Sequence, residues 1–90
     1  MPKGHCLDIL IEDKIKEKIL YKHNIRASEI KRVLTLNPII LRVRDNRYMT
    51  IGFDQKFITI IFEMMKDTAF IITAYPSSDA QRKLYKRKKN

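Results

Sequence analysis

The sequence has little of the chemistry on which most enzymes depend. Cys6 is the one cysteine among 90 residues, which excludes an internal disulfide and a four-cysteine zinc site. The two glycines, Gly4 and Gly52, do not form a glycine-rich phosphate loop. His5 and His23 do not stand at metal-ligand spacing, and no paired carboxylates suggest a glycosidase or metal-nuclease site. We therefore predict neither a cofactor nor a metal.

Long apolar runs are also missing. No run approaches the roughly 20 residues of a membrane span, and the first residues lack the apolar core and cleavage site of a signal peptide. A single cysteine is typical of reducing compartments. We expect a cytoplasmic protein without membrane contact, and its length predicts one domain over residues 1–90.

Acidic residues are outnumbered by basic ones. Nineteen Lys and Arg face ten Asp and Glu, which gives a net charge of +9. Six of the eight residues in 82–89 are basic. This balance suits a polyanionic partner such as RNA, DNA, an acidic protein or an anionic membrane surface. A basic run alone is also typical of a solvated tail.

The segment 39–75 predicts a β-meander. Its short pieces are rich in Ile, Phe, Val and Tyr, as strands are. Three turn signals divide it into four strands: Asp45-Asn46, Asp54-Gln55 and Lys66-Asp67. Loose alternation in residues 6–11 is compatible with an additional N-terminal edge strand.

Helices are predicted on both sides of the meander. Apolar spacing indicates helices over about 12–23, with Asn24 as a left-handed C-cap, and over about 27–36, ended by Asn37-Pro38. Ser78 and Gln81 have the spacing of a capping box and predict a short basic helix over 79–86. The predicted fold is α+β, with two N-terminal helices on one face of a four-stranded antiparallel meander.

Strand parity sorts the meander's side chains onto two faces. One parity is wholly apolar and is predicted to form the core beneath the two helices: Ile39, Leu41, Val43, Met49, Ile51, Phe53, Ile58, Ile60, Phe62, Met64, Phe70, Ile72 and Ala74. The other parity is semi-polar and includes Arg42, Arg44, Tyr48, Thr50, Thr59, Glu63, Thr73 and Tyr75. This second face is either an ordinary solvated sheet face or a site.

The available residues suit metal-free cleavage of RNA. That reaction requires a base for the 2′-hydroxyl, positive charge for the phosphate and an acid for the leaving 5′-oxygen. Arginine matches phosphate oxygens, while Glu, His or Tyr can act as base or acid. Tyr48 and Tyr75 can stack on unpaired bases.

Several short motifs, taken in order, resemble BrnT-type toxins, which are small relatives of the RelE toxins. Lys22-His23-Asn24-Ile25 followed by Asn37-Pro38 is similar to the "Lys-His-Gly-Val/Ile … Asn/Asp-Pro" pattern in the first part of that family's sequences. The resemblance continues through residues 45–52, 60–63, 72–75 and 80–85, and it spans about 12–87. It implies a RelE-like fold and a metal-independent ribonuclease toxin of a type II toxin–antitoxin pair. Its partners would be RNA and a small antitoxin protein.

The resemblance also suggests site residues. Arg47 matches a basic residue before the "Ile-Gly" strand, Glu63 a polar residue after the central strand, and Arg82 and Tyr85 the basic helix. Tyr75 stands where such toxins usually have Arg, and it can donate a proton but brings no fixed charge. The predicted catalytic residues are Arg47, Glu63, Tyr75, His23 and Arg82, and the predicted RNA-binding residues are Arg42, Arg44, Tyr48, Thr73, Tyr85, Lys86 and Arg87.

Other interpretations of these residues stay open. His23 can complement a helix end, Tyr85 can close an apolar edge, and Glu63 can pair with Arg42, Arg44 or Lys56. Arg47 beside a turn can be a simple surface charge. The whole chain can equally be a non-catalytic module that binds nucleic acid or an antitoxin.

Overall fold

A computed structural model describes residues 8–36 and 38–89 of the chain. Two residues used in the sequence predictions lie outside the described residues: Cys6, at the start of the possible edge strand, and Asn37, at the predicted end of the second helix. No helix in the described part is long and apolar enough to cross a membrane. The elements are, in chain order, β1 (Asp8–Leu10), α1 (Asp13–His23), α2 (Ala27–Thr35), β2 (Ile39–Arg44), β3 (Arg47–Phe53), β4 (Phe57–Met65), β5 (Thr68–Pro76) and α3 (Asp79–Lys89).

The predicted meander is confirmed, within a sheet of five strands rather than four. Strands β2 to β5 pair antiparallel in sequence order. Their turns fall at the three predicted signals, where Asp45, Gln55 and Lys66 have positive φ angles. The fifth strand is β1, which lies parallel to β5 at one edge of the sheet, with Ile9 opposite Ala69.

Helices α1 and α2 pack on one face of this sheet, as predicted. Ile19 of α1 and Ile30 and Val33 of α2 are almost fully buried and share a core with Ile60 and Phe62 of β4. Asn24 ends α1 in the left-handed conformation, and its N–H donates to the Leu20 carbonyl. The predicted C-cap is therefore confirmed.

The predicted orientation of β3 is wrong, because the opposite set of its side chains faces the two helices. Thr50 lies opposite Ile60, and directly opposed residues share a face of the sheet, so Thr50 points toward α1 and α2. It is fully buried there. The neighbouring Gly52 lies so near Val33 that an added Cβ would be 2.6 Å from the Val33 Cγ1 atom. The odd-numbered residues of β3, which were expected in this core, therefore face the other way, together with those opposite them in β2: Met49, Ile51, Phe53, Ile39 and Leu41.

Half of β5 also departs from the predicted parity. Thr73 pairs with Ile61 but Ile71 pairs with Phe62, so Ile72 is an extra residue in a β-bulge. Before the bulge the parity is inverted, and Ala69 and Ile71 are buried in the core in place of Phe70 and Ile72. Ala74, beyond the bulge, lies in the core as predicted.

Helix α3 covers part of the second sheet face, which is therefore not an open surface. The predicted capping box is present, since the Gln81 N–H donates to Ser78 Oγ over 3.2 Å and the Ser78 N–H donates to Gln81 Oε1 over 2.9 Å. The helix runs to Lys89, three residues beyond the predicted end. The Tyr85 ring contacts Phe57 edge-on at 5.4 Å, which anchors α3 to β4.

Candidate active site

Two of the predicted catalytic residues, Arg47 and Glu63, form a cross-strand pair. They lie directly opposite each other on β3 and β4, and Arg47 Nη2 donates to Glu63 Oε2 over 2.9 Å. Each side chain is about one-third exposed, while Arg47 Nε makes no hydrogen bond within the described residues. Glu63 therefore pairs with Arg47, rather than with any of the three cations considered from the sequence. In this state the carboxylate is occupied as a hydrogen-bond acceptor.

A second pair brings His23 to Tyr75. His23 is the last residue of α1 and Tyr75 the penultimate residue of β5. Their ring centroids are 6.3 Å apart and the rings are tilted by 55°. Both side chains are half-buried. The fold thus places side by side two groups that can transfer protons, although their residues are 52 positions apart in the sequence.

The Tyr75 hydroxyl is held by Gln81 from the first turn of α3. Gln81 Nε2 donates to the Tyr75 hydroxyl over 3.1 Å and lies 3.6 Å from Met49 Sδ. Gln81 Oε1 accepts from the Thr59 hydroxyl over 2.9 Å. Thr59 in turn lies 2.7 Å from Ser77 Oγ, and both of these hydroxyl-bearing residues are buried. Residues of β3, β4, β5 and α3 therefore meet at one polar cluster: Met49, Thr59, Tyr75, Ser77 and Gln81.

Arg82 brings a positive charge to the same end of the sheet. Its guanidinium donates to the Ser77 carbonyl, two residues after Tyr75, over 3.5 Å. It also forms an ion pair with Asp79 one turn earlier in α3. The Asp79 side chain is 81% exposed, so this pair lies at the surface, where phosphate can compete with the carboxylate.

The two pairs are too far apart to share one phosphate. Tyr75 lies opposite Thr59 and Arg47 lies opposite Glu63, four residues further along β4. That separation is about 13 Å at the rise of a strand. Thr73, opposite Ile61, lies between them on the same face. The predicted catalytic residues therefore divide into a His23–Tyr75 centre with Arg82 nearby and a separate Arg47–Glu63 pair.

Two predicted RNA-binding residues lie on the opposite face of the sheet. Tyr48 is opposite Phe62, and their rings stack at 5.6 Å. Arg42, opposite Tyr48, donates from Nε to the Asp45 carbonyl over 2.7 Å. The expectation that these two residues share a face with Glu63 and Tyr75 is wrong, because the parity of β3 is inverted and the register of β2 shifts between Arg42 and Arg44.

The remaining predicted RNA-binding residues lie on the α3 side. Arg44 is opposite Arg47 across the β2–β3 turn. Tyr85 closes an apolar edge against Phe57, as one of the two sequence interpretations had it, and the Lys86 ammonium lies 6.0 Å from the centre of the Phe57 ring. Arg87 is exposed on α3. These residues supply a basic border but do not contact the His23–Tyr75 centre.

A polar cleft of about 370 Å³ lies elsewhere, between the start of α2 and the β3–β4 turn. Four of its charged residues form ion pairs: Arg32 with Asp54 at 3.2 Å and Lys56 with Glu29 at 3.8 Å. None of the predicted site residues lines it. No three His, Cys, Asp or Glu side chains in residues 8–36 and 38–89 come together as at a metal site. The cleft is therefore not the site that the sequence predicted.

Sequence reasoning identified Gln81 as a capping residue but missed its contact with Tyr75, and it assigned no role to Ser77. The capping box indicated where the Gln81 amide would lie, and parity placed Thr59 on the correct face. What was missing was the path of the chain after Pro76, which returns α3 over β3 and β4. That path depends on tertiary packing and leaves no local pattern.

Comparison with known proteins reveals a structural similarity. No protein-family model matches the chain, and no curated protein sequence matches it. Among solved structures, the crystal structure of the Brucella abortus ribonuclease toxin BrnT superposes with a TM-score of 0.67 at 16% sequence identity. The similarity covers 82% of this chain and 100% of that one. The chain thus has a BrnT-like fold, and the resemblance indicated by its motifs is confirmed at the level of the fold.

Proposed function

We propose that this chain is an endoribonuclease toxin of a type II toxin–antitoxin pair. The observation that carries the proposal is the His23–Tyr75 centre, because an imidazole and a phenol beside a cationic helix are suited to RNA cleavage. The fold shared with a protein described as a ribonuclease toxin supports the same conclusion. So does the net charge of +9, which favours association with a polyanion.

The reaction assigns one task to each group. His23 accepts the proton of a ribose 2′-hydroxyl, and the 2′-oxygen forms a bond to the adjacent phosphorus. The bond between phosphorus and the 5′-oxygen breaks, and Tyr75 donates its proton to that oxygen. The products are a 2′,3′-cyclic phosphate and a 5′-hydroxyl end. Arg82 stabilises the negative charge that develops on the phosphate in the transition state. A charged group is most effective in this role when the fold already holds it in position.

Arg47 and Glu63 have a different role in this scheme. Their distance from Tyr75 excludes contact with the same phosphate, so we assign Arg47 to a neighbouring phosphate of the RNA. Arg44, Thr73, Lys86 and Arg87 extend the RNA-binding surface on the α3 side. Arg42 and Tyr48 lie on the other face and are not assigned to RNA contact in this scheme.

Cleavage of labelled RNA by the purified chain tests the proposal. We expect activity that persists in EDTA, because no step above uses a metal. His23→Ala and Tyr75→Phe should each lower the rate by about 10²–10⁴-fold, the usual contribution of one acid or base. Tyr21→Phe is the matched control, since Tyr21 is 90% exposed on α1 and should leave the rate unchanged.

Two outcomes would contradict this proposal. RNA that stays intact with the folded wild-type chain, with or without divalent metal, excludes the ribonuclease. Cleavage that is unaffected in both the His23 and Tyr75 variants excludes the site. Induced expression in bacteria adds a cellular test, in which growth arrest and RNA loss should be relieved when the gene of the antitoxin is expressed with it.

One observation favours a second function, a non-catalytic module that binds RNA, DNA or an antitoxin. Arg47 and Arg82, the two arginines predicted for phosphate stabilisation, are both paired with carboxylates. Such a module would bind nucleic acid with a strong dependence on salt, yet yield no cleavage products and no growth arrest. Binding isotherms at several salt concentrations, with the RNA recovered intact, would select this alternative.

A further inference from the structure

Tyr75 and three side chains behind it form a continuous row of hydrogen bonds. Ser77 Oγ lies 2.7 Å from Thr59 Oγ1, and Thr59 Oγ1 lies 2.9 Å from Gln81 Oε1. Gln81 Nε2 lies 3.1 Å from the Tyr75 hydroxyl. Thr59 is fully buried and Ser77 is 6% exposed, so the inner end of the row is shielded from water.

One backbone group determines the direction of every hydrogen bond in this row. The Ser78 N–H can only donate, and its partner in the capping box is the Gln81 amide. The amide must therefore present its oxygen to Ser78, since a flipped amide would place two donors against each other. The Gln81 NH2 group is consequently turned toward Tyr75.

The remaining protons follow from this orientation. The Thr59 hydroxyl donates to the Gln81 oxygen, so the Ser77 hydroxyl must donate to Thr59. The Gln81 NH2 group has no acceptor capacity, so the Tyr75 oxygen accepts from it. The phenol proton of Tyr75 is thereby excluded from the row, and it has no hydrogen-bond acceptor among the described residues. Because Tyr75 is only partly buried, we expect this proton to be available to a bound substrate.

We propose that Gln81 is a positioning residue that orients Tyr75 as the proton donor to the leaving 5′-oxygen of RNA. The inference rests on the proposed ribonuclease function and adds the residue that orients its acid, Tyr75. In the step itself the bond from phosphorus to the 5′-oxygen breaks, the Tyr75 proton goes to that oxygen, and the tyrosinate recovers a proton from water. Gln81 touches neither the substrate nor the transferred proton.

Gln81→Glu reverses this hydrogen bond with almost no change of shape. Ser78 N–H and Thr59 can still donate to the carboxylate, but Tyr75 must now donate to it as well. The phenol proton is then held by a charge-assisted hydrogen bond, which should lower the rate on ordinary RNA by about 10- to 100-fold. Ala80→Glu is the matched control, because it adds the same charge at an exposed neighbouring position of α3.

The decisive comparison uses two substrates. One is an ordinary RNA, and the other carries sulfur in place of the bridging 5′-oxygen at one position, because a thiolate leaves without needing an acid. Gln81→Glu and Tyr75→Phe should be slow on the ordinary RNA and close to wild type on the sulfur-bridged RNA. Gln81→Met, which removes the NH2 donor without adding charge, should show a smaller loss with the same substrate dependence. Ala80→Glu should match the wild type on both.

A structural measurement separates this inference from the ribonuclease proposal. In nuclear magnetic resonance spectra, the Gln81 side-chain NH2 protons should show cross-relaxation to the Tyr75 ring protons, and this signal requires no activity. If Gln81→Glu and Tyr75→Phe each lose as much activity on the sulfur-bridged RNA as on the ordinary RNA, the inference is overturned while the ribonuclease proposal stands. Absence of the cross-relaxation would overturn it too. No cleavage of either RNA by the wild type would overturn the ribonuclease proposal, and with it the role of Gln81.

Discussion

Gly52→Ala should destabilise the protein because of one contact between β3 and α2. A Cβ at Gly52 would lie 2.6 Å from Val33 Cγ1 and 3.2 Å from Pro38 Cβ, whereas carbon atoms in contact prefer about 3.5–4.0 Å. Val33 is fully buried and has no room to withdraw. Overpacking of this kind costs about 1–3 kcal/mol. The φ angle of Gly52 is not positive, so the backbone itself tolerates alanine. Alanine also lowers the conformational entropy of the unfolded chain, which offsets about 0.4–1 kcal/mol of this cost.

The net effect should be a loss of about 1–2 kcal/mol in the free energy of unfolding, taken from those two opposing terms. In a chain of this size it corresponds to a fall in Tm of roughly 4–16 °C. Urea denaturation of four proteins measures it: the wild type, Gly52→Ala, Val33→Ala and the double variant. In the Val33→Ala background the Cγ1 atom is gone and the 3.2 Å approach to Pro38 Cβ remains, so Gly52→Ala should cost much less than in the wild type.

An equal cost of Gly52→Ala in both backgrounds would refute this reasoning. It would mean that Gly52 does not face α2, and that the even-numbered side of β3 lies on the other face of the sheet. Tyr48 would then return to the face of Glu63 and Tyr75, as strand parity had suggested. The experiment therefore tests the composition of the candidate site as well as a packing contact.

Three further predictions concern ion pairing and helix ends. Glu63→Gln should cost about 0.2–1 kcal/mol in urea denaturation at low salt, and less at high salt, because its partner Arg47 is only partly shielded; a loss independent of salt would contradict this. Asn24→Ala should lower the free energy of unfolding by about 1 kcal/mol, because alanine is strained at the φ angle of 56° found there. Asn24→Gly should have a Tm at or above that of the wild type. Equal Tm values for the alanine and glycine variants would argue against strain. Ser78→Ala removes the acceptor of the Gln81 N–H and should cost about 0.5–2 kcal/mol, with a loss of helical circular dichroism; unchanged stability would show that the cap contributes nothing.

Local signals were sufficient for the order of the three helices and the four meander strands, and for most of their boundaries. Turn residues marked the three connections of the meander, and Asn24 marked the end of α1. These features are encoded within a few neighbouring residues, since they depend on backbone preferences and on hydrogen bonds to the nearest turn. The same is true of Ser78 and Gln81 at the start of α3.

The faces of the strands could not be predicted in the same way. Parity assumes one buried and one solvated face, but here α1 and α2 cover one face and α3 covers part of the other. Apolar residues are then required at both parities of β3, and the more apolar set, which includes Ile51, turned toward α3. Gly52 was the usable signal, because the close approach of another element favours glycine. The bulge at Ile72 lies in a continuous apolar run and leaves no mark in the sequence.

The same limit applies to the site. Residue types and the resemblance to BrnT-type toxins suggested His23, Tyr75, Arg47 and Glu63 as candidates, but only the folded structure shows that they form two separate pairs. Gln81 acquires its contact with Tyr75 from the return of α3 across the sheet. The candidate residues could therefore be chosen from composition and motifs, whereas the partners within each pair could not.

The two arginine pairs differ in how readily a phosphate can displace the carboxylate. The Arg82 and Asp79 side chains are 43% and 81% exposed, and they lie one turn apart on a helix, where an ion pair contributes at most about 0.5 kcal/mol. Arg47 and Glu63 are only 35% exposed and are held in opposed positions by the sheet. Exchange of carboxylate for phosphate should therefore be easier at Arg82, the arginine beside the Tyr75 centre. Since Tyr75 itself brings no fixed charge, the charge that stabilises the phosphate in our scheme comes from α3 rather than from the sheet.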